Sequence, residues 1–171
     1  MTRTPGVRLA LVPFTMLLLS ACGLQEGLDQ GAGTGGASPS QAPVINGTTL
    51  AGRPLSWSSL RGHAVVLDFW ASWCGHCRAE QTDLNRLYQQ YARRGVLFLG
   101  IDVRDDNDAA VSYQRDLGVV YPSVVDSTEQ ISAAYDVSAP PTVILINQRG
   151  SIAGRFLGTV VGVSDELNRV L

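Results

Sequence analysis

The stretch that decides the fold is residues 65–77, which read VVLDFWASWCGHC. Its first part is a run of apolar residues interrupted by one acid, Asp68. Such a run is typical of a strand that is buried on both faces, as in a parallel sheet. The run ends in the motif CGHC, at Cys74–Cys77, directly before a pattern typical of a helix. The sequence therefore predicts a central strand that delivers two cysteines to the beginning of a helix.

Two thiols at this spacing form a redox pair. The partial positive charge and the unpaired N–H groups at a helix N-terminus favour the thiolate of Cys74. Cys77 lies one turn later, close enough to close a disulfide, and His76 can add a positive charge. The alternatives are a structural disulfide or half of a zinc site, but zinc needs two further ligands, and beside the acids only His63 and Cys22 remain. The pattern therefore favours redox chemistry, with no metal and no other cofactor.

Length and composition limit the classes of protein to which the chain can belong. The chain has 171 residues and is 45% hydrophobic, which is enough for one globular domain with a proper core. All thirteen basic residues are arginine, and eleven of them follow Cys22 together with all fifteen acids, so this part has a net charge of −4. There is no basic run and no stripe of alternating aromatic and basic residues, so nucleic-acid binding has no support.

The first 21 residues have the pattern of a secretory signal peptide. A short basic start precedes an apolar segment at residues 9–19, which is too short to span a bilayer. The segment ends in Leu19-Ser20-Ala21-Cys22, which resembles the bacterial lipobox, where the cysteine is lipidated and becomes the new N-terminus. An ordinary signal peptide that contains a cysteine is the alternative. We expect Cys22 to carry acyl chains such as palmitate, which also accounts for the third cysteine.

Residues 22–42 then form the lipidated cysteine and a flexible tether. The segment is rich in Gly, Ser, Gln and Ala, and twenty such residues reach about 25 Å. The domain is therefore expected near the outer face of the cytoplasmic membrane, where disulfides persist. The residue after Cys22 is Gly23, not an aspartate of the kind that acts as a retention signal. In a bacterium with an outer membrane, the sequence is therefore also compatible with an anchor in that membrane.

The remaining residues, 43–171, alternate between strand and helix patterns. A β-hairpin is expected at 43–60, with turn signals at Asn46-Gly47 and at residues 51–54. The apolar residues of the first long helix share one face and are Leu84, Leu87, Tyr88 and Tyr91. The pattern predicts strands at 63–70, 96–103, 121–126, 142–147 and 151–156, and helices at 75–94, 107–117, 128–135 and 164–171. This order describes an α/β fold with a mixed sheet.

An acidic loop is predicted at residues 102–108. Its four acids are expected to face solvent and to cap the next helix rather than to bind a metal. Asn107 or Asp108 is the expected N-cap of that helix.

Together these motifs resemble the thioredoxin superfamily. The CGHC strand–helix unit is followed some sixty residues later by PPT at residues 140–142, a strand, a glycine turn and another strand. The N-terminal hairpin, the inserted helix at 107–117 and YPSVVD at 121–126 resemble the membrane-tethered TlpA/ResA type of thiol–disulfide oxidoreductase. The resemblance covers residues 43–171 and implies a thioredoxin fold.

The resemblance implies a role for each residue of the motif. Cys74 matches the nucleophile, Cys77 the resolving thiol, and Pro141 the family's cis-proline, which faces the cysteines. Gly75 and His76 occupy the dipeptide that tunes the pair. Gly-His should make the disulfide a stronger oxidant than Gly-Pro.

Two acids match positions that handle protons in the family. Asp68 lies six residues before Cys74, on an apolar strand, where burial should raise its pKa. An acid that reaches solvent at the end of the strand is the alternative. Glu80 follows Cys77 by three residues and is either a second proton acceptor or a first-turn acid that suits the helix dipole. The sequence leaves open which acid is the main acceptor.

Three other positions near the cysteines also bear on the resemblance. Trp73 is expected on the substrate-facing surface and Trp70 in the core. Thr82 stands where the family usually has a proline, so the helix kink should be weaker.

The expected function is disulfide exchange with protein cysteines by a monomer that is anchored to the membrane through its lipid. The direction stays open. A reductant, for example of apocytochrome c during cytochrome c maturation, would need electrons from a membrane redox partner, whereas an oxidant or isomerase would act on secreted proteins. A thioredoxin-fold peroxidase and a copper-delivery protein are the alternatives. The former would use a lone peroxidatic cysteine, and the latter a CxxxC motif with a distant histidine, and no histidine follows Cys77.

Overall fold

A computed structural model describes residue 2 and residues 40–171. The predicted signal peptide, Cys22 and the tether up to residue 39 lie outside the described residues. The last residues assigned to the tether by composition pair with the domain. Gln41 forms a bridge with Ser151, and the Ala42 N–H donates to the Gly150 carbonyl at 2.8 Å.

Two sheets and four α-helices make up the described domain. The strands are β1 (Asn46–Thr48), β2 (Pro54–Ser56), β3 (Val65–Trp70), β4 (Leu97–Val103), β5 (Ser123–Asp126), β6 (Thr142–Ile146) and β7 (Ile152–Leu157). The helices are α1 (Gly75–Tyr91), α2 (Asn107–Asp116), α3 (Gln130–Ala134) and α4 (Val163–Val170). The first two strands form an antiparallel hairpin, and the other five form a mixed sheet in the order β5-β4-β3-β6-β7. The predicted mixed-sheet α/β fold with its N-terminal hairpin is confirmed.

Strand β3 is the centre of the large sheet. It pairs in parallel with β4 and antiparallel with β6, so that Phe69 lies between Ile101 and Thr142. All six of its residues are buried. The continuous apolar run therefore reflects burial on both faces, and the one acid in it, Asp68, is buried too.

Helix α1 packs one apolar face against the sheet. Leu84 and Tyr91 are buried, and Leu87 and Tyr88 pack against the same core. The helix continues as a short 3₁₀ turn, Ala92–Arg94, and ends at Gly95 with φ of 84°. Because L side chains disfavour this left-handed conformation, the glycine acts as the stop that the sequence predicted. Among the described residues, no helix has the length and apolar character needed to cross a bilayer.

The first turn signal of the hairpin is wrong. Asn46 and Gly47 lie inside β1, and the chain turns at residues 49–53, where Gly52 has φ of 73°. Gly47 is needed for packing, because a Cβ there would lie 2.6 Å from Cγ1 of Val124. The Asn46 side chain accepts a hydrogen bond from the Trp57 N–H at 3.1 Å.

The prediction for the acidic loop is only partly correct. Asp106 and Asp108 are exposed, but Asp102 belongs to β4 and is buried. The N-cap of α2 is Asp106, whose carboxylate accepts from the N–H groups of Asp108 and Ala109 at 3.0 Å. The sequence prediction placed the cap one or two residues too late, because neighbouring acids and amides are all good caps.

Candidate active site

Cys74 and Cys77 form a disulfide at the beginning of α1. The S–S distance is 2.09 Å and the two Cα atoms are 5.3 Å apart. Cys74 is the N-cap of the helix, and its Sγ accepts a hydrogen bond from the Cys77 N–H at 3.1 Å. A sulfur in this position faces the unpaired N–H groups and the positive end of the helix dipole, which favour a thiolate after reduction.

The motif is partly buried and partly exposed. The sulfur-bearing residues pack in a cluster with Trp70, Ala71 and Tyr113, and only 6% of Cys74 and 3% of Cys77 is exposed. Gly75 and His76 between them are exposed. A partner that approaches the motif therefore meets the dipeptide first.

Loop β4–α2 holds the segment that precedes Cys74. The Asp105 carboxylate accepts hydrogen bonds from both the backbone N–H and the hydroxyl of Ser72, the latter at 2.7 Å. The Trp73 indole N–H donates to the Arg104 carbonyl at 3.2 Å, and the Arg104 guanidinium lies over the indole ring. Trp73 is 53% exposed, which agrees with its predicted place on the surface. These contacts hold the segment before Cys74 against the loop that follows β4.

Asp68 is buried in β3, the strand that leads to the motif, and is hydrogen-bonded. The Tyr121 hydroxyl donates to its carboxylate at 2.9 Å, and Gln81 Nε2 donates to the Tyr121 oxygen at 2.9 Å. Burial raises the pKa of Asp68 to about 7; the Tyr121 hydrogen bond lowers it in part, and the nearby charge of Glu80 raises it. With this pKa the carboxyl can take up or release a proton near neutral pH.

Glu80 lies on the first turns of α1. It is half-buried, and its Oε2 finds no hydrogen-bond donor among the described residues. Partial burial is the main cause that raises its pKa, the charge of His76 lowers it, and that of Asp83 raises it. Glu80 is thus a second titratable group close to the motif, with a weaker perturbation than Asp68.

Asp102 is a buried acid that the sequence did not single out as a site residue. No N–H or O–H of the described residues donates to its carboxyl group. Burial, followed by the charge of Asp105 and hydrogen bonding with it, raises the pKa of Asp102 to about 8. The raised pKa favours the neutral form of Asp102 at pH 7.

The loop before β6 lies at the same end of the sheet as the cysteines. The Pro140–Pro141 peptide bond is cis, as predicted, and Thr142 pairs with Phe69 in the antiparallel register of β6 and β3. Because β3 runs on from Phe69 towards Cys74, this register brings Pro141 to the carboxyl end of β3. The Pro141 carbonyl accepts from the Gly158 N–H at 2.9 Å, which ties the loop to the end of β7.

Several residues around the site were missed by the sequence reasoning. They are Tyr121 and Gln81 beside Asp68, Tyr113 stacked on Trp70 with ring centroids 4.4 Å apart, and Asp105 beneath Ser72. Tyrosines and glutamines of this kind carry no local signal, since only the tertiary fold brings them to the motif.

Comparison with known proteins identifies the family. The pattern of the AhpC/TSA family matches residues 39–155, which is more than half of the chain. The chain belongs to the AhpC/TSA family. The chain is also similar to the thiol–disulfide oxidoreductase ResA of Geobacillus kaustophilus, with 33% identity over 121 residues that cover 71% of this chain and 70% of the relative. ResA of Bacillus subtilis is 33% identical over 64% of this chain and 61% of its own length.

Solved structures of this AhpC/TSA protein's relatives agree with the fold. A thiol:disulfide interchange protein from Chlorobium tepidum has a TM-score of 0.71 and 28% identity, and the match covers 80% of this chain and 99% of that one. A secreted Mycobacterium tuberculosis disulfide oxidoreductase, described as homologous to E. coli DsbE, has a TM-score of 0.66 and 26% identity over 73% of this chain and 95% of that one. The CGHC disulfide and these relatives identify the protein as a thiol–disulfide oxidoreductase.

Proposed function

We propose that Cys74 is the thiol that exchanges with client proteins and that Cys77 resolves the mixed disulfide. In the reducing direction the Cys74 thiolate attacks a client disulfide, which forms a Cys74–client disulfide and releases one client thiolate. Cys77 then attacks the Cys74 sulfur, which closes the Cys74–Cys77 disulfide and releases the second client thiolate. Two electrons pass to the client, and the same steps in reverse oxidise it. The position of Cys74 as N-cap of α1 is the observation that carries this assignment.

Asp68 is the proposed proton acceptor for Cys77. Its pKa of about 7 lies near the working pH of a general base, whereas an ordinary aspartate would be too weak a base. Glu80 is the alternative acceptor, because it also has a raised pKa and lies on the same helix as Cys77. The two carboxyl groups differ in burial, and the buried Asp68 is the one shielded from bulk water.

The proposed client surface contains Trp73 and Pro141, with Gly75 and His76 at its centre. Trp73 is largely exposed, and Pro141 lies beside the end of β3 through the β3–β6 register. An exposed aromatic ring next to a reactive sulfur is a typical anchor for a polypeptide.

Protein cysteines outside the cytoplasm are the proposed substrates, and the protein is anchored through a lipid on Cys22. Support comes from the pattern of residues 1–22 and from the secreted relative of Mycobacterium tuberculosis. A membrane redox partner restores the working state of the pair. In the reducing direction, apocytochrome c is a client whose paired cysteines suit this chemistry. In the oxidising direction the clients are secreted proteins with disulfides.

Trapping of the mixed disulfide tests the mechanism. The full-length Cys77→Ser protein, incubated with a peptide disulfide, should accumulate a covalent adduct at Cys74, whereas Cys74→Ser should accumulate none. Adducts on Cys77 in the Cys74→Ser protein at a comparable rate would contradict the assignment. Turnover of hydroperoxide without protein disulfide exchange would favour a peroxidase instead. Mass spectrometry of the membrane-bound protein should find diacylglycerol on Cys22 and no residues 1–21.

A further inference from the structure

The end of the domain farthest from the disulfide is basic. Helix α1 has 17 residues and so is roughly 25 Å long, and it separates Cys74 from this end. The basic end, as we call it, consists of Arg61 and His63 before β3, Arg93 and Arg94 after α1, and Arg149 in the β6–β7 turn. His63 Nδ1 lies 3.2 Å from the Gly95 carbonyl, which joins the first two of these segments.

A cavity opens in the basic end. It has a volume of about 330 Å³; Trp57 and Leu60 give it an apolar wall, and Arg61, His63 and Arg149 give it positive charge. Among the described residues no aspartate or glutamate lines it. Within residues 40–171 the guanidinium groups of Arg61 and Arg149 take part in no ion pair, whereas other exposed arginines, such as Arg86 and Arg115, do. The cavity therefore suits an anionic group with an apolar neighbour.

The chain enters the domain at this same cavity. Gln41 and Ala42 line it, and Ser40 precedes them at the beginning of the described domain. The opposite end, beside the disulfide, carries the exposed or half-exposed acids Asp105, Asp106 and Asp108 as well as Arg78 and Arg104, and Arg104 is paired with Glu129. An anionic bilayer would attract one end of the domain and repel the other.

We propose that the basic end docks on the membrane that carries the anchor, with the phosphate groups of anionic phospholipids in the Arg61–Arg149 cavity. The proposal deepens the proposed function and rests on the lipid anchor at Cys22. A tether alone leaves the domain free to turn, so the reactive cysteines would often face the bilayer. Docking by the basic end directs Cys74 and Trp73 away from the bilayer, towards clients in solution.

Quenching of Trp57 fluorescence tests the docking. Full-length protein with Trp73→Phe is placed in vesicles that carry a nitroxide on phosphatidylcholine headgroups. Of the two tryptophans that remain among residues 40–171, Trp57 is half-buried and Trp70 is buried, so quenching from the membrane surface reports on Trp57. Quenching should be strong with about 30 mol% phosphatidylglycerol, weak in phosphatidylcholine alone and lost in 1 M salt. Arg61→Gln with Arg149→Gln should lower the docking equilibrium constant about 30-fold. The matched pair Arg86→Gln and Arg115→Gln, which removes the same charge elsewhere, should retain the quenching.

Three results distinguish membrane docking, the lipid anchor and the binding of a soluble anion. Equal quenching in both vesicles, or equal losses in both variant pairs, would overturn the docking surface. Flotation with anionic vesicles but not with neutral ones would overturn the anchor and still support docking. Inorganic phosphate, compared with chloride at the same ionic strength and without vesicles, should leave Trp57 emission unchanged. A saturable change would assign the cavity to a small soluble anion and overturn the membrane assignment.

Discussion

The Tyr121 hydroxyl donates a hydrogen bond to the Asp68 carboxylate across 2.9 Å, and both residues are buried. Burial raises the pKa of Asp68, and this hydrogen bond limits the rise to about 7. A residue from the approach to β5 therefore sets the proton affinity of an acid on β3. In the proposed mechanism Asp68 accepts the proton of Cys77, so the pH range in which the pair works should depend on this contact.

Replacement of Tyr121 by Phe should move that pH range upward. The lost hydrogen bond stabilises the carboxylate, so its removal raises the pKa of Asp68 by about 0.7, which is the equivalent of about 1 kcal/mol. The rate of the Cys77 step should then rise at correspondingly higher pH in stopped-flow reduction of a peptide disulfide. Tyr135→Phe is the control, because its hydroxyl bonds the Pro43 carbonyl away from the site. Identical pH profiles for Tyr121→Phe and the parent would argue against the coupling.

The Asp68→Asn protein should be more stable than the parent at alkaline pH. The unfolded carboxyl ionises above its ordinary pKa of 3.8, but the folded one stays neutral until about pH 7. The free energy of unfolding of the parent therefore falls as pH rises from 4 to 7, by up to about 4 kcal/mol, and is level above that range. Asparagine removes this loss. In urea denaturation at pH 5 and pH 8, the gain in unfolding free energy of Asp68→Asn over the parent should grow with pH. Asp83→Asn, at a half-exposed position on α1, should show no such gain.

The sequence predicted the strands that hold the reactive residues because their signals are local. The apolar run of β3, the CGHC motif and the stop at Gly95 each depend on neighbours within a few residues. The raised pKa of Asp68 was predictable for the same reason, since an acid inside a run buried on both faces must be desolvated.

The contacts that tune the site were not predictable from the sequence, because they join distant segments. Tyr121 is 53 residues from Asp68, and Asp105 is 33 residues from Ser72. Four acids in seven residues look alike in composition, yet one is buried in β4, one holds a loop and one caps a helix. Their different roles depend on which of them is buried at the end of β4. Burial there is decided by the packing of β4 against neighbouring elements, which are distant in the sequence.

Removal of the Asp105 carboxylate should loosen the segment before Cys74. Asp105→Ala leaves the Ser72 N–H and hydroxyl without their acceptor, and the expected cost is about 1–3 kcal/mol of unfolding free energy. The pKa of Asp102 should fall as well, because the charge of Asp105 helps to raise it. Hydrogen exchange at the Ser72 amide should become faster than in the parent. Asp108 is an exposed acid in the first turn of α2, and Asp108→Ala should leave the Ser72 amide protected.

Gly100 should tolerate no side chain. A Cβ there would lie 2.1 Å from the Ser123 hydroxyl and 2.7 Å from the Trp70 indole nitrogen, which hydrogen-bond each other. Gly100→Ala is therefore expected to cost about 1–3 kcal/mol, measured by thermal and urea unfolding. Combination with Ser123→Gly should recover part of the loss. Gly75→Ala, where no atom lies within 4 Å of the added Cβ, is the control for stability, and a similar loss there would contradict the steric reason.

The direction of electron flow depends on the reduction potential of the Cys74–Cys77 pair, and His76 should raise that potential. His76 is exposed between the cysteines and lies close enough to Glu80 for its charge to lower the pKa of that acid. The same charge stabilises a thiolate at Cys74 and so favours the reduced form. His76→Pro should lower the potential by about 30 mV in glutathione buffers at pH 6, the equivalent of about 1.4 kcal/mol. His63→Gln, which removes the histidine of the basic end, should leave it unchanged. A parent value of about −120 to −180 mV would indicate disulfide formation or isomerisation in clients, and one below about −250 mV a reductant.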